Sequence, residues 1–390
     1  MKQHSLPSIK NGAIKNSTIK NSTIKKSSLK TALSIGILVT SLPAVAATNL
    51  NFYNWSDYIA PNTLESFEQE TGINVTYDVF DSNEVLEAKL MAGGSGFDIV
   101  VPSSQFLGRQ IQAGIFQEMD LSQLPNYSNL DPELMQVLTE VDPGNRYGIP
   151  YLWGTTGIGY NVEQVKAVLG EDAPVNSWDL IFKPEYLSKL RSCGVAILDA
   201  PGEVMPIALN YLGKDPNSTN KKDYKGNSQL AKLLKTMRPN VRYFHSSQYI
   251  NDLANGEVCV ALGWSGDILQ AASRAEENGN GVKVDFTIPK EGAPVWFDML
   301  AVPADASNTQ EAFRMVNYLL RPDVMAGITN YVAFANANKA SYPLINSDIL
   351  QDKRIYPGDD VKQNLFPLKV KPNKIDKAVT RLWTNMKANR

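Results

Sequence analysis

Apolar and polar positions along this chain fall into short runs whose period switches between two and about three and a half. Leu50-Asn51-Phe52-Tyr53-Asn54 reads as a strand, with successive side chains on opposite faces. Pro61 then opens a helix carrying Leu64 and Phe67 on one face, and Gly72 closes it. Ile73–Val79 is the next strand. A helix over about Asn83–Ala92 stops at Gly93-Gly94, and Phe97–Val101 is a short apolar strand. Ser103-Ser104, after Pro102, has the residue type of a helix N-cap. This alternation predicts an α/β fold with a mostly parallel sheet covered by helices on both faces.

The middle of the chain repeats the style. Gly157–Asn161 is a strand running into a helix over about Val162–Leu169, and Gly194–Leu198 is a buried strand followed by Asp199-Ala-Pro-Gly-Glu203. Val258–Gly263 is another apolar strand, with Trp264-Ser-Gly-Asp267 at its carboxyl end. Val282–Ile288 alternates, and after a turn over Pro289–Pro294 the run Trp296–Val302 reads as a strand. The tail from Lys369 to Arg390 contains a basic amphipathic helix, expected to cover a surface rather than enter a membrane. Open α/β sheets place ligand sites at the carboxyl ends of their strands. Trp55-Ser56-Asp57-Tyr58 and Ser103-Ser104 occupy that position.

The first 47 residues break the pattern. They hold seven lysines and no acidic residue, then an apolar run from Thr31 to Thr40 and the small-x-small triplet Ala44-Val45-Ala46. This is the layout of a secretory signal peptide over residues 1–46, cut after Ala46 or Ala47. The apolar run is too short to span a bilayer. The whole chain carries 38 basic and 40 acidic residues, so loss of the seven lysines leaves 31 against 40, a net charge of −9. That balance makes a poor nucleic-acid binder and suits a cation binder. An exported chain with two cysteines, Cys193 and Cys259, is expected to pair them, the alternative being two separate buried thiols. The remaining length suggests two lobes.

Composition removes several chemistries. His4 falls in the leader, which leaves His245 alone, so neither a histidine-built metal site nor a histidine-based catalytic triad is available. His245 is read as structural. Gly93-Gly94-Ser95-Gly96 lacks the Lys-Ser/Thr of a phosphate loop and reads as a helix stop. No local pair of carboxylates stands out as a glycosidase acid and nucleophile. What does stand out is that four of the six tryptophans have an aspartate within three residues: Trp55 with Asp57, Trp178 with Asp179, Trp264 with Asp267, and Trp296 with Asp298. An aromatic face attracts an organic cation through its quadrupole, and a carboxylate supplies charge-assisted hydrogen bonds. No arginine, the usual partner of a carboxylate or phosphate ligand, stands beside Trp55, Glu203, Trp264 or Trp296. The implied ligand is small, cationic and partly apolar.

Several long runs add a resemblance: Asn54-Trp-Ser-Asp-Tyr-Ile59, Phe97-Asp-Ile-Val-Val-Pro-Ser103, Thr155-Thr-Gly-Ile-Gly-Tyr-Asn161, Tyr243 to Gly256, and Ala335-Asn-Ala-Asn-Lys-Ala340. Over essentially the whole mature chain the sequence resembles the periplasmic polyamine-binding proteins of ABC uptake systems, especially the putrescine-binding members. The resemblance implies a two-lobe periplasmic solute-binding fold with a hinge and a central cleft. Residues 47–153 and 297–340 would form the first lobe, and residues 154–296 and 341–390 the second. Trp55, Ser56, Asp57, Tyr58 and Ser103 would line the cleft from the first lobe, and Glu203, Trp264 and Asp267 from the second. Trp296 and Asp298 would stand at a lobe crossing, with Phe334 nearby. Asp and Glu would accept from ammonium groups while Trp rings flank the methylene chain.

The resemblance further implies a Cys193–Cys259 disulfide, a polyamine ligand, an inner-membrane permease as partner and a monomeric state. It implies no cofactor, no metal, no nucleic acid and no catalytic residue. Trp178 and Asp179 match no ligand position and are assigned to packing. Two positions depart from the putrescine pattern. Trp296 stands where putrescine-preferring members have Phe and spermidine-preferring members have Trp, and Phe334 replaces a Tyr. Ala200 keeps the putrescine type, so both ligands stay open. A receptor for another cationic solute, a polyamine sensor without transport, and an exported carbohydrate-active enzyme are the competing readings.

Overall fold

Three strands at the start of the fold run parallel, β1 (Asn49–Trp55), β2 (Asn74–Phe80) and β3 (Ile99–Val100), in the spatial order β2-β1-β3. The computed structural model describes residues 48–388, and the leader expected over 1–46 lies outside them. Helices Thr63–Thr71 and Asn83–Met91 connect the parallel strands. The first ends on Gly72, whose φ of 72° is the left-handed conformation that favours glycine at a helix stop. Gly93 and Gly94 stop the second helix in the same way, as the sequence pattern implied.

The long strand β4 (Gly148–Asn161) changes the architecture. At 14 residues it extends about 45 Å, and nearly all of it is buried. Later strands are β5 (Val195–Ile197), β6 (Tyr243–Phe244), β7 (Val260–Trp264), β8 (Val284–Thr287) and β9 (Pro294–Ala301). The first part of β4 pairs with β9, from Gly148↔Ala301 to Thr155↔Val295. Its second part pairs with β7 from Thr156↔Trp264 onward, and with β8. One strand therefore serves two sheet halves and changes partners at Thr155–Thr156.

The main path through the sheet is β2-β1-β3-β9-β4-β7-β5-β6, with β8 beside β4 off that path. Pairing is parallel within β2-β1-β3 and within β7-β5-β6, and antiparallel at β3–β9, β9–β4 and β4–β7. The sheet is thus mixed rather than mostly parallel. The alternating pattern describes each half, whereas β4 and β9 run between the halves and make the antiparallel joins.

The second half is capped as the sequence suggested. Asn161 caps the Val162–Leu169 helix by accepting from the Gln164 N–H. The C-terminal helix Asn373–Lys387 buries Ile375, Val379, Leu382, Trp383 and Met386, and Trp383 and Lys387 both donate to Asp199. It is a surface-covering helix, and no helix among the described residues is long and apolar enough to cross a membrane. Trp178 is fully buried, with its indole N–H on the Gly292 carbonyl, while Asp179 is held by Tyr211 and Lys183. That pair belongs to packing.

Cys193 and Cys259 form a disulfide with Cα atoms 5.5 Å apart. It ties together the segments that enter the parallel neighbours β5 and β7, which pair through Val195↔Val260. The bond closes a loop of 66 residues. On the chain-entropy account, replacing both cysteines with serine is expected to lower the unfolding free energy by about 4 kcal/mol. Urea unfolding of the two proteins measures it, and an unchanged midpoint would show that the bond does not constrain the unfolded chain.

Candidate functional site

Strand ends from both sheet halves converge on one chamber. Its floor and walls are aromatic. Trp55, the last residue of β1, is anchored by its indole N–H on the Val101 carbonyl at 2.8 Å. Trp55 meets Trp264 edge-on with ring centroids 5.4 Å apart, and Trp264 meets Trp296 at 6.5 Å. Phe334 closes the box against Trp296 and Tyr58, at 5.6 and 5.0 Å. Two glycines make this packing possible. A Cβ on Gly154 would lie 2.9 Å from the Trp296 ring, and one on Gly266 would run into the Phe334 ring.

Three carboxyl groups face this aromatic box: Glu203, Asp267 and Asp298, all at least nine-tenths buried. Asp298 lies on β9, two residues after Trp296, so the strand period sends both side chains to one face. Tyr58 Oη donates to its Oδ2 at 2.7 Å and Ser103 Oγ to its Oδ1 at 2.6 Å. Glu203 sits in the first turn of the Pro201–Tyr211 helix. It accepts from the Thr156 hydroxyl and from the Trp264 indole N–H, and Trp296 Nε1 in turn donates to Thr156. Asp267, in the first turn of the Ser265–Asn278 helix, accepts from Tyr249 Oη at 2.7 Å.

Every one of these donors is neutral, and no Lys or Arg lines the chamber. Burial pushes each of the three carboxyls up to about 7, opposed by the hydrogen bonds that each accepts. Asp298 also raises Glu203, and Asp57 and Asp298 raise Asp267. The carboxylates do not converge as a metal-ligating group: among the described residues no cluster of three His, Cys, Asp or Glu could hold a metal ion. The lining sets hydrogen-bond acceptors beside aromatic faces, the combination that suits an organic cation.

Of the residues expected here, Trp55, Ser56, Tyr58, Ser103, Glu203, Trp264, Asp267, Trp296, Asp298 and Phe334 all line the chamber. Asp57 does not. It takes the left-handed conformation, φ 55°, and its Oδ1 accepts from Arg274 Nη2 at 2.6 Å outside the chamber. The arginine that satisfies it lies 217 residues further along the chain, so nothing local to Trp55 reveals it. Ser103 is the N-cap residue of its helix, but its side chain makes no capping bond and serves Asp298 instead.

Phe80, Asp81, Ser246, Ser247 and Ile250 also line the chamber. They were not anticipated, although Phe80 ends β2 and the two serines follow β6, the same strand-end position that flagged Trp55. The Ser246 hydroxyl is buried without a partner. His245 is structural: its Nδ1 accepts from the backbone N–H groups of Ser247 and Gln248 and so caps the Gln248–Ala254 helix.

Known proteins give this geometry a family. The sequence profile of the bacterial extracellular solute-binding proteins matches residues 62–357. The chain is 59% identical to the putrescine-binding periplasmic protein PotF of Escherichia coli, over 92% of this chain and 95% of that protein. It is 36% identical to the spermidine/putrescine-binding periplasmic protein of the same organism, over 85% of this chain and 90% of that one. Among solved structures, a putative spermidine/putrescine ABC transporter protein from Listeria monocytogenes superposes with a TM-score of 0.77 at 34% identity, covering 88% of this chain and all of that one. These relatives are binding proteins of transport systems, which removes the carbohydrate-active enzyme reading, and the fold is the two-lobe α/β fold of solute-binding proteins. The chain belongs to the bacterial extracellular solute-binding protein family, among its periplasmic polyamine-binding members.

Proposed function

We propose that this protein is a periplasmic receptor that captures a protonated polyamine, putrescine and/or spermidine, and delivers it to an inner-membrane ABC permease, with no bond made or broken. The observation that carries the proposal is the set of three buried carboxyls, each held by neutral donors and facing aromatic rings with no cation among the lining residues. A hydrogen bond to a charged group contributes about 1.5–3 kcal/mol and a cation–π contact about 0.5–2 kcal/mol. The carboxylates therefore select for charge, while the rings exclude water and cover the methylenes. The names of the relatives support the ligand class, and the ABC transporter named for the Listeria monocytogenes structure supports the transport partner.

In this reading the lobes comprise residues 47–153 with 297–340, and 154–296 with 341–390. Tyr58, Ser103 and Asp298 grip the ligand from the first, and Glu203, Trp264 and Asp267 from the second, so that lobe closure assembles the chamber. Asp57, paired with Arg274, acts at the rim rather than on the ligand. The receptor works as a monomer, exported by removal of the leader.

Calorimetry on the mature protein, freed of ligand by unfolding and refolding, tests the proposal. Putrescine or spermidine is expected to release heat and raise the melting temperature, and silence from both sinks the idea. Asp267→Asn removes one charged acceptor while keeping the hydrogen bond to Tyr249, and is expected to weaken binding by on the order of 2 kcal/mol without lowering the ligand-free melting temperature.

The pH dependence has a definite sign. The three carboxyls, raised to about 7, must ionise to hold an ammonium, so affinity is expected to fall as pH drops from 8 to 6, with protons released on binding near neutrality. Their unfolded values are about 4. The folded state therefore binds protons more tightly, and ligand-free stability declines as pH rises from about 4 to 7. Titrations at pH 6, 7 and 8 check the first statement, and ligand-free melts from pH 4 to 8 the second. Affinity flat across this range would mean that the carboxyls stay ionised throughout.

A further inference from the structure

Charge is unevenly distributed along the chain. Residues 183–242 and 369–388 together hold 17 basic and 6 acidic residues, whereas the rest of the chain after the leader holds 14 against 34. A protein that is acidic as a whole thus carries one strongly basic region, and the fold gathers it onto one layer. The Lys221–Tyr224 turn, the Gln229–Met237 helix and the Asn373–Lys387 helix pack against one another, and the two helices cover the buried Pro201–Tyr211 helix. Each of the two turns its apolar stripe inward, Leu230, Leu234 and Met237 on one and Ile375, Val379 and Leu382 on the other. The outward side is left to lysine. Lys221, Lys222, Lys232, Lys235, Lys374 and Lys377 are all exposed, and none joins an ion pair among the described residues.

Local carboxylates do not neutralise this face. Asp199, Asp223 and Asp376 are committed to Lys387, Lys214 and Arg109, Glu203 lines the chamber, and Glu185 and Asp215 are the other two of the six. The chemistry of the face selects its partner. A protein interface centres on apolar and aromatic anchors and is poor in lysine, and none of the large apolar side chains exposed among the described residues lies in this layer. Lysine is a flexible point charge without the planar fork that arginine offers to a single phosphate. Six of them spread over three elements therefore match a broad sheet of negative charge better than one bound anion. Clustered surface lysines are drawn to anionic lipid headgroups within a Debye length, about 8 Å at physiological salt.

We propose that this lysine face is a membrane-association surface, which holds the receptor loosely on the anionic phospholipid headgroups of the bilayer that carries the permease. The helices do not insert. Their apolar stripes are buried against the protein, and attraction without an apolar anchor is weak, reversible and salt-sensitive. Its effect is to raise the local concentration of receptor near the membrane, so that the search for the permease runs over a surface. The proposal takes only the compartment from the polyamine reading, and none of the six lysines lines the chamber.

Sedimentation of the mature protein with vesicles of phosphatidylcholine, alone or with about a quarter of phosphatidylglycerol, tests it. Wild type is compared with Lys232→Glu/Lys235→Glu and Lys374→Glu/Lys377→Glu, and with Lys339→Glu/Lys353→Glu, which changes the net charge equally at two exposed lysines outside the face. Wild type is expected to bind the phosphatidylglycerol vesicles and not the neutral ones, and to come off at about 0.5 M salt. Each face variant is expected to lower the partition coefficient by roughly tenfold, while the control stays within about twofold of wild type. Melting curves confirm that the variants fold, and if one face variant does not, the other decides. Equal binding to both vesicles, no binding to either, or an equal loss in the control overturns the proposal. So does binding that appears only when the vesicles carry the permease, which would give the face to a protein partner. None of these outcomes touches the polyamine reading, which stands or falls on the calorimetry above.

Discussion

Negative charge buried without a counter-ion is the condition on which the rest of this molecule turns. Glu203, Asp267 and Asp298 are withdrawn from water, and their partners are hydroxyl and indole groups that orient a carboxylate but do not neutralise it. Unpaired charges in a low-dielectric interior are expensive, and the cost appears as carboxyls pushed up to about 7. An arriving organic cation removes that cost at several points along its length. The closed chamber is therefore most stable when occupied, which is the property a receptor needs to signal that it is loaded.

The aromatic box follows from the same constraint. Rings that pack edge to face leave no room for bulk water, so each charged contact inside is stronger than it would be at a surface. They also tolerate methylenes, which a cage of polar groups would not. The backbone was shaped to allow the box: Gly154 lets Trp296 lie across β4, and Gly266 lets Phe334 lie against the Ser265–Asn278 helix. Outside the box the logic reverses. Asp57 and Arg274, and Arg109 with Glu87 and Asp376, are opposite charges paired in more accessible positions, where each ion pair is worth at most about 1 kcal/mol and no ligand is required.

Much of the chamber could be read along the chain because strand ends in an α/β sheet are where ligands bind, and two of the four tryptophan–aspartate pairs, at Trp55 and Trp264, fall at such ends. The pair at Trp296 and Asp298 was legible for a further reason, since residues two apart on a strand share a face. Long-range contact added what local pattern does not carry. Asp57 has the spacing of a ligand residue, and its partner Arg274 comes from a distant helix. Ser103 has the residue type of a helix cap, yet Asp298 claims its hydroxyl across the β3–β9 join. Asp81 follows a phenylalanine rather than a tryptophan, and Ser246 carries no charge, so neither stands out along the chain, yet both line the chamber.

The amino-acid sequence by itself determined the alternating elements, the clusters of tryptophan and carboxylate and the likeness to polyamine receptors, and it led to the expectation that Cys193 pairs with Cys259. These depend on local periodicity, residue type and long matching runs, all of which survive in a one-dimensional string. Only the tertiary structure decided that the sheet is mixed, that β4 changes partners at Thr155–Thr156, and which carboxylates remain without a cation. Whether a charge is compensated depends on what the fold brings to within about 3 Å of it. In this protein those neighbours come from segments tens to hundreds of residues away.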